Sequence, residues 1–149
     1  MKIALGNDHA GLSLKSCVIE FLKSKQIEIV DYGTNNLNQC YSPPIAEKVA
    51  RSVLEGESDK GILICGTGVG MSLAANKIKG IRCAVCSEPY TAKMSRAHNN
   101  TNVLALGGRV LGHELAKMIV DIWIDTEFEG GRKQHSYDLI TEIENREFK

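Results

Sequence analysis

The chain has 149 residues, which suffices for one domain with a sizeable hydrophobic core. Hydrophobic residues make up 43% of the chain and charged residues 24%, and the 18 Lys and Arg balance the 18 Asp and Glu. This balance excludes an overall electric field that would recruit nucleic acid or an anionic membrane, so an anionic ligand must be held by a local group of cations.

Segments of two kinds alternate along the chain: short apolar runs and longer stretches of helical period. In chain order we predict a strand over 2–6, a helix over 12–25, a strand over 27–31, a helix over 43–55, a strand over 61–65, a helix over 69–78, a strand over 81–86, a helix over 89–98, a strand over 102–106, and helices over 113–124 and 134–146. Continuous apolar strands in such an alternation predict an α/β fold with one parallel sheet covered by helices on both faces. Without an internal repeat or linker, we expect a single domain over 1–149.

The last predicted helix differs from the others because it follows a hinge at Gly130-Gly131 and carries few apolar residues, among them Leu139, Ile140 and Ile143. A C-terminal helical arm of this kind packs on a partner subunit or lies on the surface of its own chain. The sequence leaves both possibilities open.

The cysteines and the N-terminus bear on the compartment. No apolar run approaches the ~20 residues that span a bilayer, and the chain turns polar at Asn7-Asp8-His9, before it forms the apolar stretch of a signal peptide. Its 5 cysteines are an odd, irregularly spaced set, which favours reduced thiols over a disulfide framework. We therefore expect a cytoplasmic protein that binds no membrane.

Unusual polar residues follow the ends of the predicted strands. Residues 7–9 follow the first strand, residues 65–70 the third, and Arg109 the fifth. Ligands of an open parallel sheet bind beyond these carboxyl ends. His98 and Asn99 instead precede the fifth strand, which puts them at the opposite edge of the same subunit. A neighbouring subunit would have to bring them to the other residues, which is a first indication of a dimeric site.

A glycine-rich loop follows the most hydrophobic predicted strand. Gly66, Gly68 and Gly70 let the backbone approach a ligand and aim N–H groups at it where a helix begins. Such a loop holds a phosphate or a developing oxyanion, although glycines at this place are also common packing devices. Cys65 directly precedes the loop, where the helix dipole and the N–H groups favour a thiolate. The alternative is a buried, inert cysteine.

Other polar residues have two interpretations each. Asp8 and His9 suit an acid–base or anion-binding pair, and they also suit an ordinary turn. His98 is a catalyst or a cap that interacts with the dipole of its helix. Cys83 and Cys86 match C-x-x-C, but they lie within a predicted strand and no second pair completes a zinc site. We expect no metal.

Four segments, taken together, carry a resemblance to a known family. They are Gly6-Asn7-Asp8-His9-Ala10-Gly11, Ile64-Cys65-Gly66-Thr67-Gly68-Val69-Gly70, Ser95-Arg96-Ala97-His98-Asn99-Asn100 and Glu129-Gly130-Gly131-Arg132. With them the chain resembles ribose-5-phosphate isomerase B and the related galactose-6-phosphate isomerase subunits over nearly its whole length. The resemblance implies a three-layer Rossmann-like sandwich with a five-stranded parallel sheet. It also implies a homodimer with active sites shared between subunits, able to pair into a tetramer, that needs no metal or cofactor.

The resemblance further implies a reaction and its catalytic residues. An aldose–ketose isomerase of this kind interconverts ribose 5-phosphate and ribulose 5-phosphate, or a related pair, through a cis-enediol. Cys65 corresponds to the base that moves a proton from C2 to C1, and Thr67 helps to move protons between O1 and O2. His98 corresponds to the residue that opens the sugar ring, with Asp8 assisting near the sugar hydroxyls.

Substrate-binding residues follow from the same resemblance. They are His9, Gly66, Gly68, Val69, Gly70, Asn99, Arg109 and Arg132. The loop N–H groups would stabilise the enediolate oxygens, and Asn99 would bind a sugar hydroxyl. His9 and Arg132 correspond to phosphate ligands, with Arg109 a further candidate.

Two positions depart from the family pattern. Ser136 stands where the family usually has a second phosphate-binding arginine, one helical turn after Arg132. Ser42 stands where a tyrosine usually lines the sugar pocket, unless Tyr41 replaces it. The catalytic residues are kept, so we expect isomerase chemistry. The substrate could be a different pentose, hexose or tetrose phosphate, or a free aldose.

Functions of other kinds stay open. The glycines of residues 66–70 together with Glu88 imitate a dinucleotide fingerprint, which would make the chain a nucleotide-binding module. Cys65 with His98 or His9 would suit a hydrolase. A non-catalytic subunit of a hetero-oligomeric isomerase is a third possibility, because the recognition residues have changed.

Overall fold

The computed structural model describes residues 1–148, in which strands and helices alternate. The strands are β1 (Lys2–Asn7), β2 (Glu28–Asp31), β3 (Lys60–Cys65), β4 (Cys83–Val85) and β5 (Val103–Gly107). The helices are α1 (Leu12–Ser24), α2 (Ser42–Leu54), α3 (Val69–Ala75), α4 (Pro89–Ala97), α5 (His113–Asp125) and α6 (Arg132–Glu147), and a 3-10 turn at His9–Gly11 follows β1. No helix of the described residues is long and apolar enough to cross a membrane.

The strands form one parallel sheet in the order β2-β1-β3-β5-β4. All residues of β3 and β5 are buried, because both strands lie in the middle of the sheet and are covered on both faces. The predicted α/β class and the five-stranded parallel sheet are confirmed.

Two hydrophobic cores lie on the two faces of the sheet. Alternate residues of β3 point to opposite faces, so Ile62 and Ile64 join the core that contains Trp123 of α5. Leu63 and Cys65 join the other core, which α2 and α3 cover. The sulfur of Cys65 therefore emerges on the α2–α3 side of the sheet.

Two elements at the β4 edge are shorter than the sequence predicts. The prediction extended α3 to residue 78, but the helix ends at Ala75. The Asn76 amide donates to the Cys83 carbonyl at 2.9 Å and accepts from the Cys83 N–H at 2.8 Å. The predicted strand 81–86 shrinks to Cys83–Val85, because the Arg82 N–H donates to the Asn102 side chain at 2.8 Å instead of a strand. Long-range side-chain contacts set both boundaries.

Helix α6 contacts its own chain through a few polar and aromatic contacts. The Arg82 guanidinium lies 3.9 Å from the Tyr137 ring centroid and donates to Thr141 Oγ1 at 2.5 Å. The Gly80 N–H donates to Glu144 Oε1 at 2.8 Å. No residue of α6 is buried in the described chain, and its apolar side chains are about half exposed. These side chains are Leu139, Ile140 and Ile143.

Candidate active site

The loops that follow β1, β3 and β5 meet at the carboxyl edge of the sheet. The Asp8 N–H donates to the Ile64 carbonyl at 3.1 Å, and the Gly108 N–H donates to the Cys65 carbonyl at 2.7 Å. Gly11 permits the close approach of the first loop, because a Cβ there would lie 2.2 Å from the Ile64 carbonyl oxygen. The three loops thus form one hydrogen-bonded floor.

Cys65 ends β3 at the centre of this floor and is 5% exposed. The Gly68 N–H donates to its Sγ at 3.1 Å. Gly68 can take this position because its φ of +83° suits glycine, and a Cβ there would lie 3.1 Å from the Leu106 carbonyl carbon. A backbone N–H directed at sulfur stabilises negative charge on it. The loop therefore directs an N–H dipole at the sulfur.

Donors and an arginine surround the outer side of this loop. Thr67 is exposed, and its Oγ1 accepts from the Val69 N–H at 3.3 Å. Within residues 1–148, the N–H groups of Thr67 and Gly70 donate to no acceptor. Arg109 runs across the loop, since a Cβ on Gly66 would lie 3.6 Å from its Cδ and 3.9 Å from its Nη1. This geometry offers N–H dipoles and a cation to an anionic oxygen.

Asp8 is 5% exposed and each of its carboxylate oxygens accepts a hydrogen bond. Oδ1 accepts from the N–H groups of Ala10 at 2.9 Å and Gly11 at 3.1 Å, which fixes the loop after β1. Oδ2 accepts from the Ser42 hydroxyl at 2.7 Å. Tyr41 is 82% exposed and does not turn inward. In the sequence, Ser42 stood out only as a lost tyrosine, and neither periodicity nor a motif indicated its contact with Asp8.

His9 lies beside Asp8 and is half-buried. Its Nδ1 accepts from the Cys40 N–H at 3.4 Å, and the Cys40 sulfur lies 4.0 Å away. In the neutral ring the proton therefore lies on Nε2. His9 can donate a hydrogen bond to an anionic ligand through that nitrogen.

His98 and Asn99 lie at the other edge of the sheet in the same chain. Both precede β5, whereas Cys65 pairs with Gly107, the last residue of β5. A strand of 5 residues separates the two edges by about 13 Å at ~3.3 Å per residue. Asn99 lines a cavity of about 420 Å³ with residues of α6. One chain therefore does not bring His98 to Cys65.

Glu129 connects His98 to the start of α6. Its Oε2 lies 3.6 Å from His98 Nε2, and its N–H donates to the Ala97 carbonyl at 3.0 Å. Gly130 and Gly131 then reverse the chain with φ of +65° and +53°, so that α6 begins at Arg132. Glu129 belongs to one of the four segments that carry the family resemblance, which assigned it no role. Its position between two candidate residues is the signal that was available.

Arg132 is exposed at the start of α6. Ser136, one helical turn later, is exposed as well, and neither side chain makes a hydrogen bond or ion pair with another of residues 1–148. Lys133 and His135 make no side-chain bond within those residues either. The first turn of α6 therefore presents several basic groups to solvent in the single chain.

The residues that the sequence offered for metal or dinucleotide binding are Cys83, Cys86 and Glu88, and each is held by its structural surroundings. Burial raises the pKa of Cys83 to about 12 and that of Cys86 to about 11, so both stay neutral thiols at pH 7. No three His, Cys, Asp or Glu side chains of the described residues are grouped so as to hold a metal. Glu88, which a dinucleotide site would need for the ribose, instead accepts from the N–H groups of Tyr90 at 2.6 Å and Thr91 at 2.7 Å. The Thr91 side chain, and to a smaller extent these two N–H groups, lower the pKa of Glu88.

Comparisons with known proteins agree with this geometry. The model of a family described as Ribose/Galactose Isomerase matches residues 3–140. Ribose-5-phosphate isomerase B of Escherichia coli is 54% identical over 145 residues, which cover 97% of each chain. D-erythrulose-4-phosphate isomerase of Pectobacterium atrosepticum is 41% identical over 149 residues, 99% of this chain and 97% of that one. The structure of Clostridium thermocellum ribose-5-phosphate isomerase B superposes with a TM-score of 0.96 at 50% identity, covering 98% of this chain and 99% of that chain.

Proposed function

The chain belongs to the ribose/galactose isomerase family, and we propose that it interconverts ribose 5-phosphate and ribulose 5-phosphate as an aldose–ketose isomerase. One observation carries the mechanism: the sulfur of Cys65 accepts an N–H from the loop that follows it, at the edge where a parallel sheet binds ligands. This arrangement supports a thiolate base at the centre of the site.

The proton moves between neighbouring carbons of the open-chain sugar. The Cys65 thiolate takes the proton from C2, the C–H electron pair forms the C1–C2 double bond, and the C1=O1 π pair moves to O1 to give an enediolate. After the O2 proton has passed to O1, an O2 electron pair forms the C2=O2 bond and the C1–C2 π pair takes the proton from the thiol at C1, which gives the ketose and restores the thiolate. Thr67 passes a proton between O1 and O2. The N–H groups of Thr67 and Gly70, which lack acceptors in the described chain, stabilise the enediolate oxygens, an interaction typically worth several kcal/mol of barrier.

A second copy of the chain completes each site. Cys65, Asp8 and His9 lie at one edge of the sheet, and His98 lies at the other, so the single chain carries two half-sites. In a two-fold dimer each half-site meets the complementary half of the partner. The half-exposed apolar side chains of α6 support such an interface, because a partner would cover them. We infer a homodimer with composite sites, which leaves pairing of dimers open.

The two subunits then hold the substrate between them. The phosphate binds His9 and Arg109 of one subunit and Arg132 of the partner subunit. Asn99 of the partner subunit binds a sugar hydroxyl, beside the ring-opening His98 of the partner subunit. The backbone of residues 66–70 contacts O1 and O2. Within residues 1–148, the side chains of Arg109 and Arg132 are exposed and make no hydrogen bond or ion pair, which supports this division.

A related substrate is a second candidate because two recognition positions are changed. Ser42 binds Asp8 instead of presenting an aromatic ring to the sugar, and Ser136 supplies no guanidinium. The Pectobacterium relative is named for a four-carbon sugar phosphate. These observations support a tetrose phosphate as an alternative to ribose 5-phosphate with the same proton chemistry.

The cysteines also bear on the compartment. All five are free thiols. The proposed base works only as a reduced sulfur, which a reducing compartment maintains. We infer that the enzyme acts in the cytoplasm.

The test is a coupled assay of purified protein with tetrose, pentose and hexose phosphates and with free aldoses. We expect turnover of ribose 5-phosphate or erythrose 4-phosphate, and Cys65→Ser should lower kcat by about 10³-fold, within the 10²–10⁴ of a positioned acid–base group. Cys17→Ser, a change of the same kind away from the floor, should keep the activity. Full activity of Cys65→Ser would exclude the sulfur as the base, and equal turnover of free aldoses would exclude the phosphate site.

A further inference from the structure

We infer that Glu129 is a positioning residue for sugar-ring opening: its carboxylate holds the His98 imidazole so that the other ring nitrogen faces the sugar. This role rests on the proposed function, since it requires that His98 opens the ring. The distance of 3.6 Å between Glu129 Oε2 and His98 Nε2 is the starting observation. The backbone around both residues makes this contact specific.

Glu129 is held in place by its own backbone. Its N–H donates to the Ala97 carbonyl at 3.0 Å, so the residue before His98 and the residue that contacts its ring are tied together. Gly130 and Gly131 follow with positive φ and turn the chain away. A substitution of the Glu129 side chain therefore leaves the backbone contact intact and removes only the carboxylate.

Arg96 holds the backbone that follows His98 in the chain. It is 6% exposed, and its Nη1 donates to Asn100 Oδ1 at 3.0 Å and to the Thr101 carbonyl at 2.5 Å. Its Nε donates to the Thr126 carbonyl at 3.2 Å, which ties the segment before Glu129 to α4. With the backbone held on both sides, the remaining freedom of His98 is rotation of its ring.

The Glu129 carboxylate restricts this rotation of the His98 ring. The His98 side chain is 34% exposed and that of Glu129 56% exposed, so solvent reaches both groups and the ring keeps an open side on which a sugar can bind. A carboxylate at Nε2 selects one ring orientation and leaves Nδ1 for the sugar, as the third member of a catalytic triad does for its histidine. No other carboxylate makes an ion pair with His98 among the described residues.

The proposed step is balanced in protons and electrons. Nδ1 takes the proton of the anomeric O1–H, and the freed electron pair forms the C1=O1 double bond. The C1–O4 bond breaks, its electron pair goes to O4, and the imidazolium returns the proton to O4. Glu129 stabilises the imidazolium that exists between the two transfers. The products are the open-chain aldose and the original neutral imidazole.

Ring opening can be measured apart from isomerisation in Cys65→Ser, which lacks the carbon base. The observable is the exchange between the α and β anomers of ribose 5-phosphate, followed by NMR magnetisation transfer with and without enzyme. We expect Cys65→Ser to accelerate this exchange and Cys65→Ser/Glu129→Ala to accelerate it at least about tenfold less. Glu129→Asp should restore part of the rate, and Glu127→Ala, a carboxylate on the same connection, should leave it unchanged.

The outcomes separate this inference from the proposed function. Equal acceleration by Cys65→Ser with and without Glu129→Ala overturns the inference, as does the absence of any acceleration by Cys65→Ser. Isomerisation by Cys65→Ser itself would instead refute the assignment of the base. In the otherwise unchanged enzyme, Glu129→Ala should lower kcat/KM for ribose 5-phosphate about tenfold or more with the fold intact by circular dichroism.

Discussion

Among residues 1–148, the Ser42 hydroxyl is the only side-chain group that donates to Asp8 Oδ2, at 2.7 Å. A hydrogen bond to a charged group is worth roughly 1.5–3 kcal/mol. We predict that Ser42→Ala lowers kcat/KM about tenfold or more, because an unpartnered carboxylate oxygen shifts the loop that carries His9. Steady-state kinetics with ribose 5-phosphate measures this effect.

Ser42→Thr is the matched variant for that prediction. It keeps a hydroxyl at the same backbone position and should keep most of the activity, whereas a loss as large as in Ser42→Ala would point to packing rather than to the hydrogen bond. Unchanged kinetics of Ser42→Ala would show that Asp8 is held well enough by the two backbone N–H groups alone.

Lys60 is a buried cation at the start of β3, and it makes stability depend on pH. Its Nζ donates to the Ile124 carbonyl at 3.0 Å and lies 5.5 Å from the centroid of the Trp123 ring. Burial, with the nearby Arg96, lowers the pKa of Lys60 below its usual 10.5. Between the lowered pKa and 10.5 the unfolded chain binds the proton more tightly, so the free energy of unfolding rises with pH there.

We therefore predict that Lys60→Met lacks this contribution. As the pH rises toward 10.5, the free energy of unfolding of the unchanged protein should rise relative to that of Lys60→Met. Urea denaturation of both proteins across this range measures the difference. A difference that stays constant with pH, or that moves the other way, would contradict the lowered pKa.

At the scale of elements, the hydrophobic pattern sufficed to predict the sheet and its helices. Strands such as β3 and β5 are apolar throughout because they are buried on both faces, and that signal is local. The ends of α3 and β4 were predicted wrongly because Asn76 and Asn102 bind backbone groups far along the chain. Sequence periodicity carries no information on such partners, so the errors fall at element ends.

Helix α6 depends on Arg82 more than on buried apolar area. The Arg82 guanidinium stacks on the Tyr137 ring and donates to Thr141 Oγ1. These two contacts attach α6 to the rest of the chain. We predict that Arg82→Ala increases amide hydrogen exchange in α6 and raises KM for the sugar phosphate, because α6 carries Arg132. Exchange in β1, β3 and β5 should stay the same, as followed by mass spectrometry.

Arg51→Ala provides the control, since within residues 1–148 the Arg51 side chain is bonded only to the exposed Glu47 of its own helix α2. It should change neither exchange in α6 nor KM. If Arg82→Ala leaves α6 as protected as before, then contacts with a partner subunit, rather than Arg82, stabilise the helix.

At the scale of the whole molecule, the sequence predicted where the site residues lie better than what holds them. Ligands of a parallel sheet bind beyond the carboxyl ends of its strands, and this rule predicted the loops around Cys65 as the site. The position of His98 before β5 already required a second chain. The contacts of Ser42 with Asp8 and of Glu129 with His98 join residues 34 and 31 positions apart. Both contacts depend on tertiary structure, so periodicity indicated neither of them, and only the position of Glu129 between His98 and Arg132 was a sequence signal.

If each active site is shared between two subunits, two inactive variants should complement each other, which they would not do if each site lay within one chain. Cys65→Ser and His98→Ala should each be inactive as homodimers, but a mixture refolded or exchanged at equal concentrations should regain activity. Random pairing makes half of the dimers mixed, and each mixed dimer has one site with both Cys65 and His98 intact, so the mixture should reach about a quarter of the unchanged activity.

Mixing Cys65→Ser with Cys65→Ser/His98→Ala is the control, because no pairing of these chains contains an intact site, and it should stay inactive. Subunit exchange is checked by native mass spectrometry of chains that differ in isotope labelling. If labelled chains exchange fully while the first mixture remains inactive, Cys65 and His98 act within one chain. The sheet would then have to bridge roughly 13 Å between its two edges, which a rigid five-stranded sheet does not do.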